Sequence, residues 1–163
     1  MPFAIRLATH ADAPALARLR LEFRAAIATP TETAATFLDR CAAWMQERLQ
    51  PAAKWRCWVV EGEGEIAGNL WLQVIEKIPN PGPELEAHAY ITNVYVRSEA
   101  RGAGAGEQLV ATALDWCRGN GVDSVILWPT ARSRTLYTRQ GFVLPQDLLE
   151  AVLDAGRDLG MHA

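Results

Sequence analysis

The sequence predicts a single α/β domain in which helices flank one β-sheet. Three observations carry that prediction. The length of 163 residues suits one domain spanning 1–163, and 50% hydrophobic with 21% charged residues is the composition of a globular chain able to bury a core. Several segments repeat apolar residues at three- and four-residue steps, the period of a helix face, while others alternate or run continuously apolar, as strands do. In the second half, strand and helix signals follow one another in turn, separated by glycine and proline punctuation.

Taken in order, Phe3 to Ala8 forms a short strand, and His10 to Ala13 turns into a helix with Pro14 in its first turn. Leu16, Leu19, Phe23 and Ile27 mark the buried face of that helix. Thr31, Glu32 and Thr33 offer start signals for a second helix, whose stripe is Phe37, Leu38, Cys41, Trp44, Met45 and Leu49 and whose stop is Pro51. "WRCWVVE" and "EIAGNLWLQVI", joined across Gly62 and Gly64, form an antiparallel pair. Three prolines and a glycine make Ile78 to Glu84 a surface loop. Ala87 to Val96, "AHAYITNVYV", is the strongest strand signal. Leu109, Val110, Ala113, Leu114 and Cys117 then define a helix ending at Gly119-Asn120-Gly121. "SVILW", Ser124 to Trp128, is expected as a central strand covered on both faces, and Thr130 to Gly141 as a short helix capped by Thr130 or Ser133.

The bulk properties exclude several classes. A formal net charge of −3 argues against a nucleic-acid surface. Arg97, Arg101, Arg118, Arg132, Arg134 and Arg139 nevertheless gather in the second half, which suits a small anionic ligand. Three cysteines without a C-x-x-C pair indicate neither a disulfide framework nor a zinc site, so no metal is expected and the thiols fit a reducing cytoplasm. The N-terminal segment lacks the form of a leader, and no apolar run approaches the ~20 residues that span a bilayer. A soluble, cytoplasmic protein without a membrane partner is expected.

The stretch "RGAGAGE", Arg101 to Glu107, sets three glycines between a strand and a helix. Such a junction presents unpaired N–H groups and the positive end of a helix dipole, where phosphate binds, and a Cβ would stand between those amides and the anion. A Walker loop would need G-K-[ST] after Gly106, where Glu107 and Gln108 stand. A dinucleotide fingerprint laid on Gly102 and Gly104 would need a small residue at Glu107. What remains, Arg101-x-x-Gly104-x-Gly106, resembles the pyrophosphate loop of the GNAT superfamily of N-acetyltransferases, Gln/Arg-x-x-Gly-x-Gly/Ala. "YTRQGF", Tyr137 to Phe142, resembles that superfamily's Tyr-x-x-x-Gly-Phe signature and begins 33 residues after Gly104. The likeness covers Tyr90 to Phe142, and the strand–helix–helix–strand opening agrees with it.

The resemblance implies a mixed, mostly antiparallel sheet whose central strands splay to hold acyl-CoA, with acetyl-CoA as co-substrate and direct transfer of the acetyl group to an amine of a small molecule or peptide. It implies that the amides of Gly102, Ala103, Gly104, Ala105, Gly106 and Glu107 cradle the pyrophosphate, with Arg101 shaping the turn. Backbone of Val94, Tyr95 and Val96 would pair with the pantetheine arm, and the Val94 amide would form the oxyanion hole. Tyr137 is the implied general acid, close to the leaving sulfur. The family often sets a base near Tyr90 or Thr92, neither of which titrates near neutrality; His88 acting through water, or solvent itself, is left for that role. Asn93, Trp71 and Tyr95 are candidates for the acceptor pocket, and Arg132, Arg134 and Arg139 for the 3′-phosphate of CoA. Thr130 departs from the asparagine common there. The tail "DLLEAVLDAGRDL", 147–159, has a helical period at Leu148, Leu149, Val152 and Leu153, whereas the resemblance implies a closing strand over Leu148 to Leu153, which is the expectation adopted. A homodimer would be ordinary for the superfamily, and a non-catalytic acyl-CoA sensor is the rival reading.

Overall fold

Five strands pair in the order of the chain, β1 (Ala4–Leu7), β2 (Trp55–Gly62), β3 (Glu65–Glu76), β4 (Ala87–Val96) and β5 (Val122–Ile126), in a computed structural model that describes residues 3–154. The first three pairings are antiparallel and β4–β5 is parallel, so the sheet is mixed. Helices α1 (Ala13–Ala25) and α2 (Ala34–Arg48) cover one face, and α3 (Ala105–Gly119) the other; α4 (Arg134–Arg139) follows β5.

The two-residue period of the strands sorts the core into these layers. Trp58 and Val60 of β2, Leu70 and Leu72 of β3 and Ala89 and Ile91 of β4 meet Leu109, Val110, Ala113 and Cys117 of α3. Their neighbours Cys57, Val59 and Trp71 face the other way, onto Ala13, Leu16, Ala17 and Met45. Both faces of β3 are therefore buried, and each fully buried Leu or Val contributes roughly 1.5–3 kcal/mol of transfer free energy.

Local signals explain the ends of elements. Thr33 caps α2 by accepting the Thr36 N–H at 3.2 Å. Ahead of α1, a single 3₁₀ turn at His10–Asp12 is held by Asp12, which accepts the Thr9 N–H at 2.7 Å and pairs with Arg6 on β1. Arg6 also reaches Glu61 on β2 at 2.8 Å, tying strand to strand and sheet to helix.

Four expectations need correction. The hairpin turn is Glu63-Gly64, both in the left-handed region, and Gly62 belongs to β2. Ile27 lies beyond the end of α1 and is 40% exposed, because α1 stops at Ala25. β5 begins at Val122, two residues early, and pairs on one side only among the described residues; Asp123 and Ser124 are exposed. The closing strand over Leu148 to Leu153 is not formed: residues through Asp154 are neither strand nor helix, Leu149 and Leu153 are above 90% exposed, and 155–159 lie outside the described residues.

Candidate active site: a cleft where two strands part

β4 and β5 run side by side for four residue pairs, from Ala87↔Val122 to Tyr90↔Ile126, and then separate. Beyond Tyr90 the edge of β4 that faced β5 has no strand beside it among the described residues, and the space is a cleft of about 740 Å³. Ile91 to Val96 line one wall, Leu127, Trp128 and Thr130 the other, and the glycine turn closes one end. An open sheet edge offers a row of backbone donors and acceptors to any extended, amide-bearing ligand.

The glycine turn is built to keep backbone bare. After β4, the Arg97 amide returns to Ala67 O at 2.8 Å while its guanidinium is fixed on Glu22 of α1 by two bonds of 2.9 and 2.7 Å. Arg101 Nε donates to Val96 O at 2.8 Å, and its guanidinium lies 5.9 Å from the centre of the Tyr95 ring, so Arg101 braces the turn from within. Gly102 and Gly104 have φ of +83° and +80°, where side chains cost energy, and a Cβ on either would meet no protein atom within 4 Å. Gly104 is the N-cap of α3, and the first intrahelical bond is Gln108 N–H to Gly104 O at 3.0 Å. The amides of Ala105, Gly106 and Glu107 thus have no acceptor inside the helix, and an anion held there would complete them. Gly106 is small for a different reason: its Cβ would sit 3.1 Å from Leu136 Cδ1 of α4. Gly102, Gly104, Ala105, Gly106 and Glu107 line the cleft, whereas Ala103 of the expected set does not. Of the three arginines considered for a further phosphate, Arg132 lines the cleft; Arg139 pairs with Glu107 at 3.3 Å and Arg134 lies away from the lining.

Midway along the wall, β4 carries a bulge. Asn69 stands opposite Tyr95 and Trp71 opposite Thr92, so Asn93 and Val94 together face a single residue of β3, and Asn93 takes φ = +51°. Asn69 Nδ2 clamps the bulge by donating to Asn93 O at 2.7 Å, and Gly68 lets β3 approach: a Cβ there would lie 2.8 Å from Tyr95 O. The bulge corrects the face assignment. Ala89 and Ile91 point towards α3, and past the bulge Val94 and Val96 do, so Val94 does not share a face with Tyr90 and Thr92 as strict alternation requires. Val94 has no partner in the β3–β4 register and lines the cleft. Tyr95 turns to the α1 side, stacked on Phe23 at 5.2 Å, and lines the cleft rather than an acceptor pocket; Trp71 lines a separate smaller cavity, and Asn93 lines both.

Tyr137 enters the cleft from α4, 8% exposed, its ring edge-on to Phe142 at 5.7 Å. Phe142 N–H returns to Tyr137 O at 3.1 Å across Gly141, which takes φ = +91°, so the Tyr-x-x-x-Gly-Phe stretch is the C-terminal stop of α4 and holds the tyrosine in place. Burial pushes its phenol up to about 12, partly offset by a hydrogen bond with Ser133, so the hydroxyl keeps its proton at any physiological pH. His88 is not brought to the site. It lies at the other end of β4, bonded through Nδ1 to Ser124 Oγ at 2.6 Å and Asp123 Oδ1 at 2.8 Å, and the six residues to Val94 span about 20 Å of strand. The thiols are poorly suited to attack: burial drives Cys57 well up and Cys117 to about 11, and raises Cys41. Among the described residues, no helix is long and apolar enough to cross a membrane.

These features, a parted parallel pair leading into a glycine-capped helix, have counterparts in known proteins. The model of the acetyltransferase (GNAT) family matches residues 22–142, most of the chain, and the protein belongs to that family. It is accordingly an acyltransferase of a family that uses acetyl-CoA. A GCN5-related N-acetyltransferase from Ralstonia eutropha JMP134 is 26% identical with a TM-score of 0.71, the match covering 93% of this chain and 99% of that one. A "predicted acetyltransferase with acetyl-CoA" from Clostridium acetobutylicum is 19% identical, TM-score 0.73, with 93% and 97% covered. Glucosamine-6-phosphate N-acetyltransferase from Arabidopsis thaliana, 23% identical with a TM-score of 0.70 over 94% and 100% of the chains, shares the fold. No curated protein matches the sequence.

Proposed function

We propose that the protein transfers the acetyl group of acetyl-CoA directly to an amine held beside it. The carrying observation is adjacency: the edge of β4 that has no strand beside it among the described residues and the bare amides at the start of α3 line one cleft, a single surface for an extended amide chain and its phosphates. Bound there, acetyl-CoA supplies an activated acyl group. The chain supplies the rest. The Gly102–Glu107 turn neutralises pyrophosphate charge with N–H dipoles, and backbone of Val94 to Val96 orients the arm. The Val94 N–H, released from the ladder by the bulge, donates to the carbonyl oxygen as negative charge develops on it. As the N–C bond forms and the C–S bond breaks, the Tyr137 hydroxyl gives its proton to the departing sulfur and regains one from solvent. With His88 at the far end of β4, the proton of the amine leaves to water through the open mouth of the cleft. The raised thiols favour this direct route over an acyl-cysteine. A cytoplasmic setting suits both free thiols and the co-substrate.

Thermal unfolding with acetyl-CoA, CoA, NAD and ATP in parallel tests the reading. At about 100 times Kd, linkage stabilises by about 2.7 kcal/mol, roughly 5–10 °C at this size. The expected result is a shift with acetyl-CoA and CoA alone; no shift up to millimolar ligand would remove the reading.

A further inference from the structure

On the α1–α2 face, a second cavity of about 290 Å³ adjoins the cleft at the bulge, with Thr92 and Asn93 lining both. It has room for roughly ten waters, or for one ring on a short arm, the size of a small metabolite. Three tryptophans form its wall: Trp44, Trp55 and Trp71 pack with ring centres 5.2, 5.8 and 6.1 Å apart, and buried Met45 adds to the apolar lining. Trp55 meets the other two edge to face, at 75° and 71°, so the rings make a corner rather than a stack. Such a corner favours a further aromatic ring, which adds offset or edge-on contacts to the burial of apolar area.

One wall residue is short of an acceptor. Trp71 Nε1 is buried without a hydrogen-bond partner among the described residues, on a side chain 2% exposed. An aliphatic guest would leave it so, whereas an aromatic guest presents a negative ring face, or an oxygen on the ring, able to accept the N–H. Trp44 already carries the Arg48 guanidinium over its ring, 4.8 Å from the centre, so the wall is not an open cage for a cationic head.

The polar end of the cavity is at the bulge. Tyr90, Thr92 and Asn93 bring oxygens that can accept from the N–H groups of an amine. Arg20 is engaged there as a tie between α1 and β4, its Nη1 donating to Asn93 Oδ1 at 3.1 Å. Trp71 and Thr92 are direct partners across β3 and β4, which sets their Cβ atoms about 4.5–5.5 Å apart on one face. The tryptophan corner and the polar end are thus one short linker apart.

We infer that the acceptor is a primary arylalkylamine: its aromatic ring in the tryptophan corner, a linker of about two carbons, and its amine at Thr92 and Asn93 beside the cleft. The inference rests on the acetyl-transfer reading above.

Release of CoA thiol is followed at saturating acetyl-CoA with 2-phenylethylamine, tryptamine, n-hexylamine and spermidine. The two aryl amines should exceed n-hexylamine and spermidine in kcat/KM by about tenfold or more. Trp44→Ala, at a site 39% exposed, should raise KM for 2-phenylethylamine about tenfold and leave the thermal shift with acetyl-CoA unchanged. Cys41→Leu, which fills part of the cavity from α2, should raise KM for tryptamine more than for 2-phenylethylamine. Fastest turnover with n-hexylamine or spermidine overturns the inference, as does a KM for the aryl amines that neither substitution moves. So does a protein that acetyl-CoA stabilises but that acetylates neither aryl amine, an outcome that leaves acetyl transfer standing. Loss of the acetyl-CoA shift in the wild-type protein would sink the underlying reading instead.

Discussion

In the proposed mechanism Tyr137 and Gly104 act through opposite means, one by its side chain and one by lacking it. Replacing Tyr137 by Phe keeps the edge-on contact with Phe142 and removes the proton, so kcat should fall about 10²-fold or more with KM little changed. With the phenol near 12, protonated Tyr137 sets no alkaline limb below about pH 11; the wild-type kcat profile should only rise with pH as the amine loses its proton. A descending limb below pH 10 would remove Tyr137 from the acid role. Gly104→Val places a Cβ at φ = +80° in open space within the turn, at a strain of about 1–2 kcal/mol. Calorimetry should show CoA affinity lost while far-UV circular dichroism is unchanged, and normal CoA binding would detach the turn from phosphate. Both positions stand out in the sequence through local motifs, and both line the cleft. The bulge at Asn93 was not legible there: that residue sits in an alternating strand, and its tolerance of positive φ was the one hint. Asn69 and Gly68, which clamp and admit that bulge, were missed because their task depends on a partner strand more than twenty residues away.

Among elements, the helices were read best, since α1, α2 and α3 each bury a face with the helical period. β5 was misjudged because its apolar run packs towards α3 and the cleft, leaving Asp123 and Ser124 in water. The tail's apolar period was equally misleading: through Asp154 it is exposed and neither strand nor helix. The joint between β1, β2 and α1 carries a testable charge. Arg6 holds the Asp12 carboxylate below its ordinary 3.8, with help from the Thr9 amide. A lowered pKa means that this stability is present above 3.8 and is lost as pH falls through the folded value. Asp12→Asn should therefore cost about 1 kcal/mol at pH 7, allowing for the part-exposed Arg6, and the gap in Tm from wild type should close as pH falls below 3.8. A gap independent of pH would mean that the pair contributes nothing.

For the whole molecule, the sheet and the cleft are one construction. Composition and pattern led to one sheet flanked by helices, because layers must bury the apolar sides of every strand, and the resemblance implied its mixed pairing. They could not reveal that the smaller tryptophan-walled cavity adjoins the cleft, since Arg20, Trp44 and Trp71 come from three elements that only the fold assembles. The same assembly gives β5 four rungs of pairing and then frees both partners. Backbone amides along that freed edge of β4 should exchange with deuterated solvent quickly in the ligand-free protein, while those of β3, between two neighbours, exchange slowly. Adding CoA should slow exchange over Ile91 to Val96 and the Gly102–Glu107 turn and leave the hairpin at Glu63-Gly64 untouched. Unchanged exchange along β4 would show that the ligand does not use this edge. The protein can thus report occupancy of its own binding edge, without a product to detect.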